Sequence, residues 1–107
     1  MIDTEQRAEI VRQIGAGNMG VISGGRVIVV DNGIELAVGS GYRVRVVLDP
    51  TDTYTVSRVY RKGGKEFEHG SISDVYFDEV GELAYRASCF NSYDETQWAT
   101  PRLTPHG

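Results

Sequence analysis

The sequence predicts an α+β fold: an N-terminal helix, a curled antiparallel meander of about six short strands, and a C-terminal helix packed on the sheet. Three observations predict it. Apolar residues follow helical spacing before Gly15 and again from Tyr76 onward. Between those stretches they alternate, and β-branched residues are frequent. The turn signals in residues 24–72 stand too close together for the long crossovers that parallel strands need.

The first helix is read from Thr4 to Ile14. Asp3 is its N-cap, and Gln6 stands at the capping-box spacing. Ile10, Val11 and Ile14 form one apolar stripe, and Gly15 stops the helix. Gly15-Ala16-Gly17-Asn18-Met19-Gly20 then reads as a flexible joint. Val21 to Ser23 leads as a first strand into a Gly24-Gly25 turn. Residues 26–31 and 34–38 read as a hairpin about Asn32-Gly33, a pair suited to the positive φ of a type I′ turn. Tyr42 to Leu48 alternates, with Tyr42, Val44, Val46 and Leu48 on one face and Arg43, Arg45 and Val47 on the other. After the Asp49-Pro50-Thr51-Asp52 turn, a strand runs from Thr53 to Arg61, and a parity change between Val56 and Val59 predicts a bulge near Ser57-Arg58. A sixth strand starts at Glu66, is interrupted at Gly70 and resumes through Ile72.

Tyr76, Val80, Leu83, Ala84, Ala87 and Phe90 form the stripe of the last helix. Gly81 inside it costs about 1 kcal/mol relative to Ala, which close approach of the helix to the sheet would explain. Trp98 is read as an anchor docking the tail, and residues 100–107, with two prolines, as a frayed end to a single domain spanning 1–99.

Composition excludes several classes. One Cys among 107 residues excludes an internal disulfide, and one Cys with two His excludes a Cys/His zinc cage. No apolar run approaches the ~18 residues of a membrane span, and no signal-peptide pattern opens the chain. Cys89 borders the apolar stripe and reads as a small hydrophobe rather than a nucleophile. His69 reads as a solvent-facing turn residue, and the acidic pairs as solvated surface. GAGNMG at 15–20 matches G-x-G-x-x-G, but that chemistry needs a strand before and a helix after. The expected order here is the reverse, so no nucleotide cofactor is assigned.

Charge is unevenly laid out. Residues 42–65 hold six bases (Arg43, Arg45, Arg58, Arg61, Lys62 and Lys65) against Asp49 and Asp52, net +4. Residues 66–95 hold eight acids against Arg86, net −7, within an overall charge of −4. Either the two segments neutralise each other or they form real charged faces that steer a partner. The six bases, interleaved with Tyr42, Tyr54 and Tyr60, are the candidate partner-binding residues. Such a face can bind phosphate and stack bases. Alternation, however, puts Tyr42 and Tyr54 opposite Arg43 and Arg45. A solvated face or one meeting a protein partner is therefore preferred, with nucleic acid as the alternative.

The runs Ser23-Gly24-Gly25-Arg26-Val27, Asn32-Gly33-Ile34-Glu35-Leu36, Gly41-Tyr42-Arg43-Val44, Asp52-Thr53-Tyr54-Thr55-Val56, Gly63-Gly64-Lys65 and Tyr85-Arg86-Ala87-Ser88-Cys89-Phe90 together resemble a family of small uncharacterised proteins encoded by actinobacterial bacteriophages, mycobacteriophages especially. The resemblance spans residues 23–98 and brings no functional residue with it. It implies a phage accessory protein acting in the host cytoplasm. With no catalytic constellation, cofactor or metal site read from the residues, the expectation is a non-catalytic protein that binds a host or phage protein. A homodimer through a free sheet edge is one form of it.

Overall fold

The computed structural model describes residues 3–89 together with residue 98. It is α+β, with helices α1 (Thr4–Ile14) and α2 (Ala16–Ser23), strands β1 (Ile28–Val30), β2 (Gly33–Gly39), β3 (Tyr42–Leu48), β4 (Tyr54–Lys62) and β5 (Lys65–Val75), and helix α3 (Val80–Ser88). The strands form one antiparallel meander in the order β1-β2-β3-β4-β5. Five strands replace the expected six or so.

The N-terminal helix has the predicted limits. The Asp3 carboxylate accepts from the Gln6 backbone N–H at 2.8 Å, and the Gln6 side chain accepts from the Asp3 N–H at 3.0 Å. Two orphan helix donors are thereby satisfied. Val21 to Ser23, expected as a strand, is the last turn of α2. Met19 and Ile22 are buried in the core, and this burial outweighs the poor helix propensity of the glycines. Gly24, at φ 66°, ends α2 in the left-handed conformation, so the Gly24-Gly25 pair is a helix stop rather than a hairpin.

The β1–β2 hairpin also differs in detail. Val30 pairs with Gly33, so the turn residues are Asp31 and Asn32, neither with positive φ. Gly33 is needed for close approach instead: a Cβ there would lie 1.9 Å from the Val46 carbonyl oxygen.

Register places Ile34 and Leu36 beside Val46 and Val44, and Val56 beside Val46. That face is fully buried with Ile10, Ile14, Val80, Leu83, Ala84, Ala87 and Trp98. The three helices cover this side of the sheet. β4 keeps its period of two; the ladder irregularity beside Ser57 comes from β5, where His69 and Gly70 together oppose Arg58. A second extra residue lies between Ile72 and Val75. Gly70 (φ 101°) and Asp74 (φ 57°) absorb the two bulges, which lets β5 run on as one strand through the expected break.

The last helix starts at Val80. Tyr76 therefore falls outside it and is 54% exposed, whereas Val80, Leu83, Ala84 and Ala87 are buried as the stripe predicts. Gly81 approaches α1, not the sheet: a Cβ would stand 2.6 Å from the Ile14 carbonyl oxygen and 2.9 Å from Asn18 Nδ2. Trp98 is fully buried, and its indole N–H donates to the His69 carbonyl at 3.1 Å. Phe90 and the tail from residue 100 lie outside the described residues.

Candidate functional site

The six predicted bases do not form one surface. Alternation along β3 and β4 divides them, because successive side chains of a strand point to opposite faces. Arg43, Arg45 and Arg61 lie on the face away from the helices. Arg58 lies on the helix side, opposite Val44, and is 3% exposed. Its Nε donates to the Ala87 carbonyl at 2.7 Å and its Nη2 to the Arg86 carbonyl at 3.2 Å. A cation is favoured at a helix C-terminus, where carbonyls lack intrahelical partners. The guanidinium also stands 5.8 Å from the Trp98 ring centroid. Arg58 is thus a buried cap for α3, not part of a basic face.

The three arginines of the open face converge on two carboxylates. Glu35, fully buried, stands opposite Arg45 in the β2–β3 register. It accepts from Arg45 Nε at 2.7 Å, Arg61 Nη2 at 3.3 Å and Arg43 Nη1 at 3.4 Å. Glu66 takes a bidentate pair from Arg45 at 2.8 and 3.1 Å, and a third bond from Arg61 Nε at 3.1 Å. The Arg45 bonds, then those of Arg61, hold the Glu66 carboxyl below the usual carboxylate range against the opposing effect of desolvation. Arg45 is pushed further up, first by its bond to Glu66 and then by Glu35, with burial opposing. Three guanidiniums against two carboxylates leave one unit of positive charge.

Glu35 was not among the predicted site residues. A signal for it was present: it falls between Ile34 and Leu36, out of phase with the core, on the same side as Arg43 and Arg45 once the Gly39–Gly41 turn sets the register. Neutralisation therefore draws one acid from the acidic segment, Glu66, and one from β2.

Lys62 and Lys65 pair across the tip of the β4–β5 hairpin, both exposed, with no ion pair to a described residue. By alternation they share the face of Tyr60, which pairs with Phe67. Tyr42 and Tyr60 lie 4.8 Å apart, and His69 meets each edge-on at 5.8 and 5.9 Å. His69 is accordingly a half-buried strand residue in an aromatic cluster, not a solvent-facing turn residue.

Cys89 is the half-buried C-cap residue of α3, 3.9 Å from the Ser88 hydroxyl. GAGNMG opens α2, so a helix does follow it, but α1 rather than a strand precedes it; the phosphate-binding arrangement still lacks its strand. Among the described residues no three His, Cys, Asp or Glu side chains converge as a metal site, and no helix is long and apolar enough to cross a membrane.

Several recesses lie along α1. One, of about 310 Å³, is lined by Gln6, Glu9, Gln13, Leu48, Asp52, Tyr54 and Phe77. The Tyr54 hydroxyl at its floor donates to Gln13 Oε1, and burial, then Glu9 and Asp52, pushes the phenol up. Another, of about 420 Å³, lies between α1 and β1 and is lined by Thr4, Arg7, Ala8, Val11, Arg12, Val27 and Val29. Comparison of the chain with protein-family models, with curated proteins and with solved structures finds no match.

Proposed function

We propose that this chain is a non-catalytic binding protein whose partner is another protein, host or phage, and that it serves a phage as an accessory in the host cytoplasm. One contrast carries the reading: large apolar side chains are open to solvent while most of the candidate cations are engaged internally. Ile28, Val29, Phe67, Tyr76 and Phe77 are exposed, whereas Arg43, Arg45 and Arg61 face Glu35 and Glu66, and Arg58 caps α3. Exposed apolar side chains beside polar rims suit protein contacts. The phage context rests on the sequence resemblance alone.

Nucleic-acid binding is the second reading. Lys62 and Lys65 at one hairpin tip, beside the Tyr60 and Phe67 rings, favour it.

A tagged pull-down from actinobacterial lysate, run with and without nuclease and read by mass spectrometry, separates the two. Protein binding predicts one specific protein retained in both conditions. Retention lost on nuclease treatment would transfer the function to nucleic acid, and no specific retention would overturn the protein reading.

A further inference from the structure

The edge strand β1 and helix α1 form the two walls of a groove. β1 pairs only with β2 in the sheet, and its outer edge meets no other strand among the described residues. In a hairpin closed at Val30 and Gly33, the next pair inward does not exchange hydrogen bonds, so the Val29 N–H and C=O point away from β2. Val29 is 51% exposed and lines the groove with Val27, Ala8 and Val11. Among the described residues, the only charged ones lining it are Arg7 and Arg12. Arg12 is paired with Glu9 on the solvent side of α1. Arg7 reaches the Thr4 hydroxyl at 3.5 Å through Nη2, but its Nε is buried with no acceptor among the described residues.

We infer that this groove takes an extended, acidic segment of a partner protein, which adds as a sixth strand beside β1 and sets a carboxylate on Arg7. An exposed edge supplies main-chain bonds, and the groove beside it selects alternate side chains. Here the selection is apolar against Ala8, Val11, Val27 and Val29, and anionic against Arg7. The inference rests on the protein-binding reading and adds to it the site and the partner's chemistry.

The test uses the full chain and two peptide mixtures. Both are N-acetylated, C-amidated hexapeptides in which Val, Ile, Leu or Thr alternates with a charged residue: Glu in one mixture, Lys in the other. Titration followed by 15N NMR is expected to shift the backbone signals of Val27 to Val30 and the Arg7 Nε–H signal, saturably, with the Glu mixture only. Val29→Pro removes an N–H that bonds nothing within the sheet, a position where an edge strand tolerates proline; it should abolish binding while the spectrum stays dispersed. Arg7→Gln should weaken binding at least tenfold. Equal binding of the Lys mixture, no shift at Val27 to Val30, or unchanged affinity in Val29→Pro would each overturn the assignment. So would a dimer of the wild-type chain that Val29→Pro dissolves, which would put a second copy on the edge. In the lysate experiment, a protein retained equally by wild type and Val29→Pro would remove this site yet leave the protein-binding reading standing. Retention by neither would remove the reading itself.

Discussion

The two faces of β3 and β4 come from the same two strands, whose residues alternate between them, yet they do opposite things. On the helix side, Val44, Val46 and Val56 join the buried core, and even the arginine of that face, Arg58, is drawn in to cap α3. On the open side, Arg43, Arg45 and Arg61 clasp the buried Glu35 carboxylate and the half-exposed Glu66. A run of charge in sequence is therefore not a charged surface. Strand parity divides the run first, and cross-strand register then decides which acids meet it.

Substitutions on each face separate their roles. The largest effect is expected on the covered face. Leu36→Ala should cost about 2–5 kcal/mol in denaturant unfolding, because the side chain is fully buried among close-packed neighbours. An effect below about 1 kcal/mol would mean that the core is not organised about this face.

On the open face, Glu35→Gln should cost about 3 kcal/mol, the low end of the ~3–5 kcal/mol seen when one partner of a buried ion pair is lost. Water can reach the three arginines in part, which holds the effect down. A neutral result would show that the clasp adds nothing to stability.

Arg58→Gln should come next, at about 1.5–3 kcal/mol for lost charge-assisted bonds, with hydrogen exchange accelerated in the last turn of α3. Unchanged exchange there would remove the capping role. Gly81→Ala should also destabilise, although Ala is the better helix former by about 1 kcal/mol. The Ile14 carbonyl leaves no room for its Cβ, and a stabilised variant would put α3 further from α1.

The smallest effect belongs to Glu66, which is 41% exposed on its side chain. Glu66→Gln should cost under about 1 kcal/mol at neutral pH. Its pKa in the folded chain is lowered, so its contribution is present above the unfolded carboxylate value of about 4.3. That contribution is lost as pH falls through the lower folded value. Unfolding curves of wild type and Glu66→Gln should therefore differ at pH 7 and converge in acid. A gap that persisted there would mean that the charge of Glu66 is not what stabilises.

What the sequence disclosed follows the same logic. α1 was legible because its cap, stripe and stop agree. β3 was legible because alternation from Tyr42 to Leu48 is unbroken. α2 was not: glycines at 15, 17 and 20 argue against a helix locally, and only the burial of Met19 and Ile22 makes one. The bulge was sensed through Val59, but that residue simply lies on the open face; the extra residues are in β5. Of the candidate site, the six bases were visible and their separation was half visible, since parity already set Tyr42 against Arg43. The Glu35 clasp depends on a register that no local pattern states, and the unpaired Arg7 Nε depends on tertiary packing.

The measurement that bears most directly on the divided basic run is a titration of the intact chain with a fluorescein-labelled single-stranded oligonucleotide across a salt series. With three arginines held by Glu35 and Glu66 and Arg58 beneath α3, no saturable binding should appear at physiological salt. Tight binding that weakens steeply with salt, with the slope reduced by about one unit in Arg43→Gln, would contradict the account and return the open face to nucleic acid.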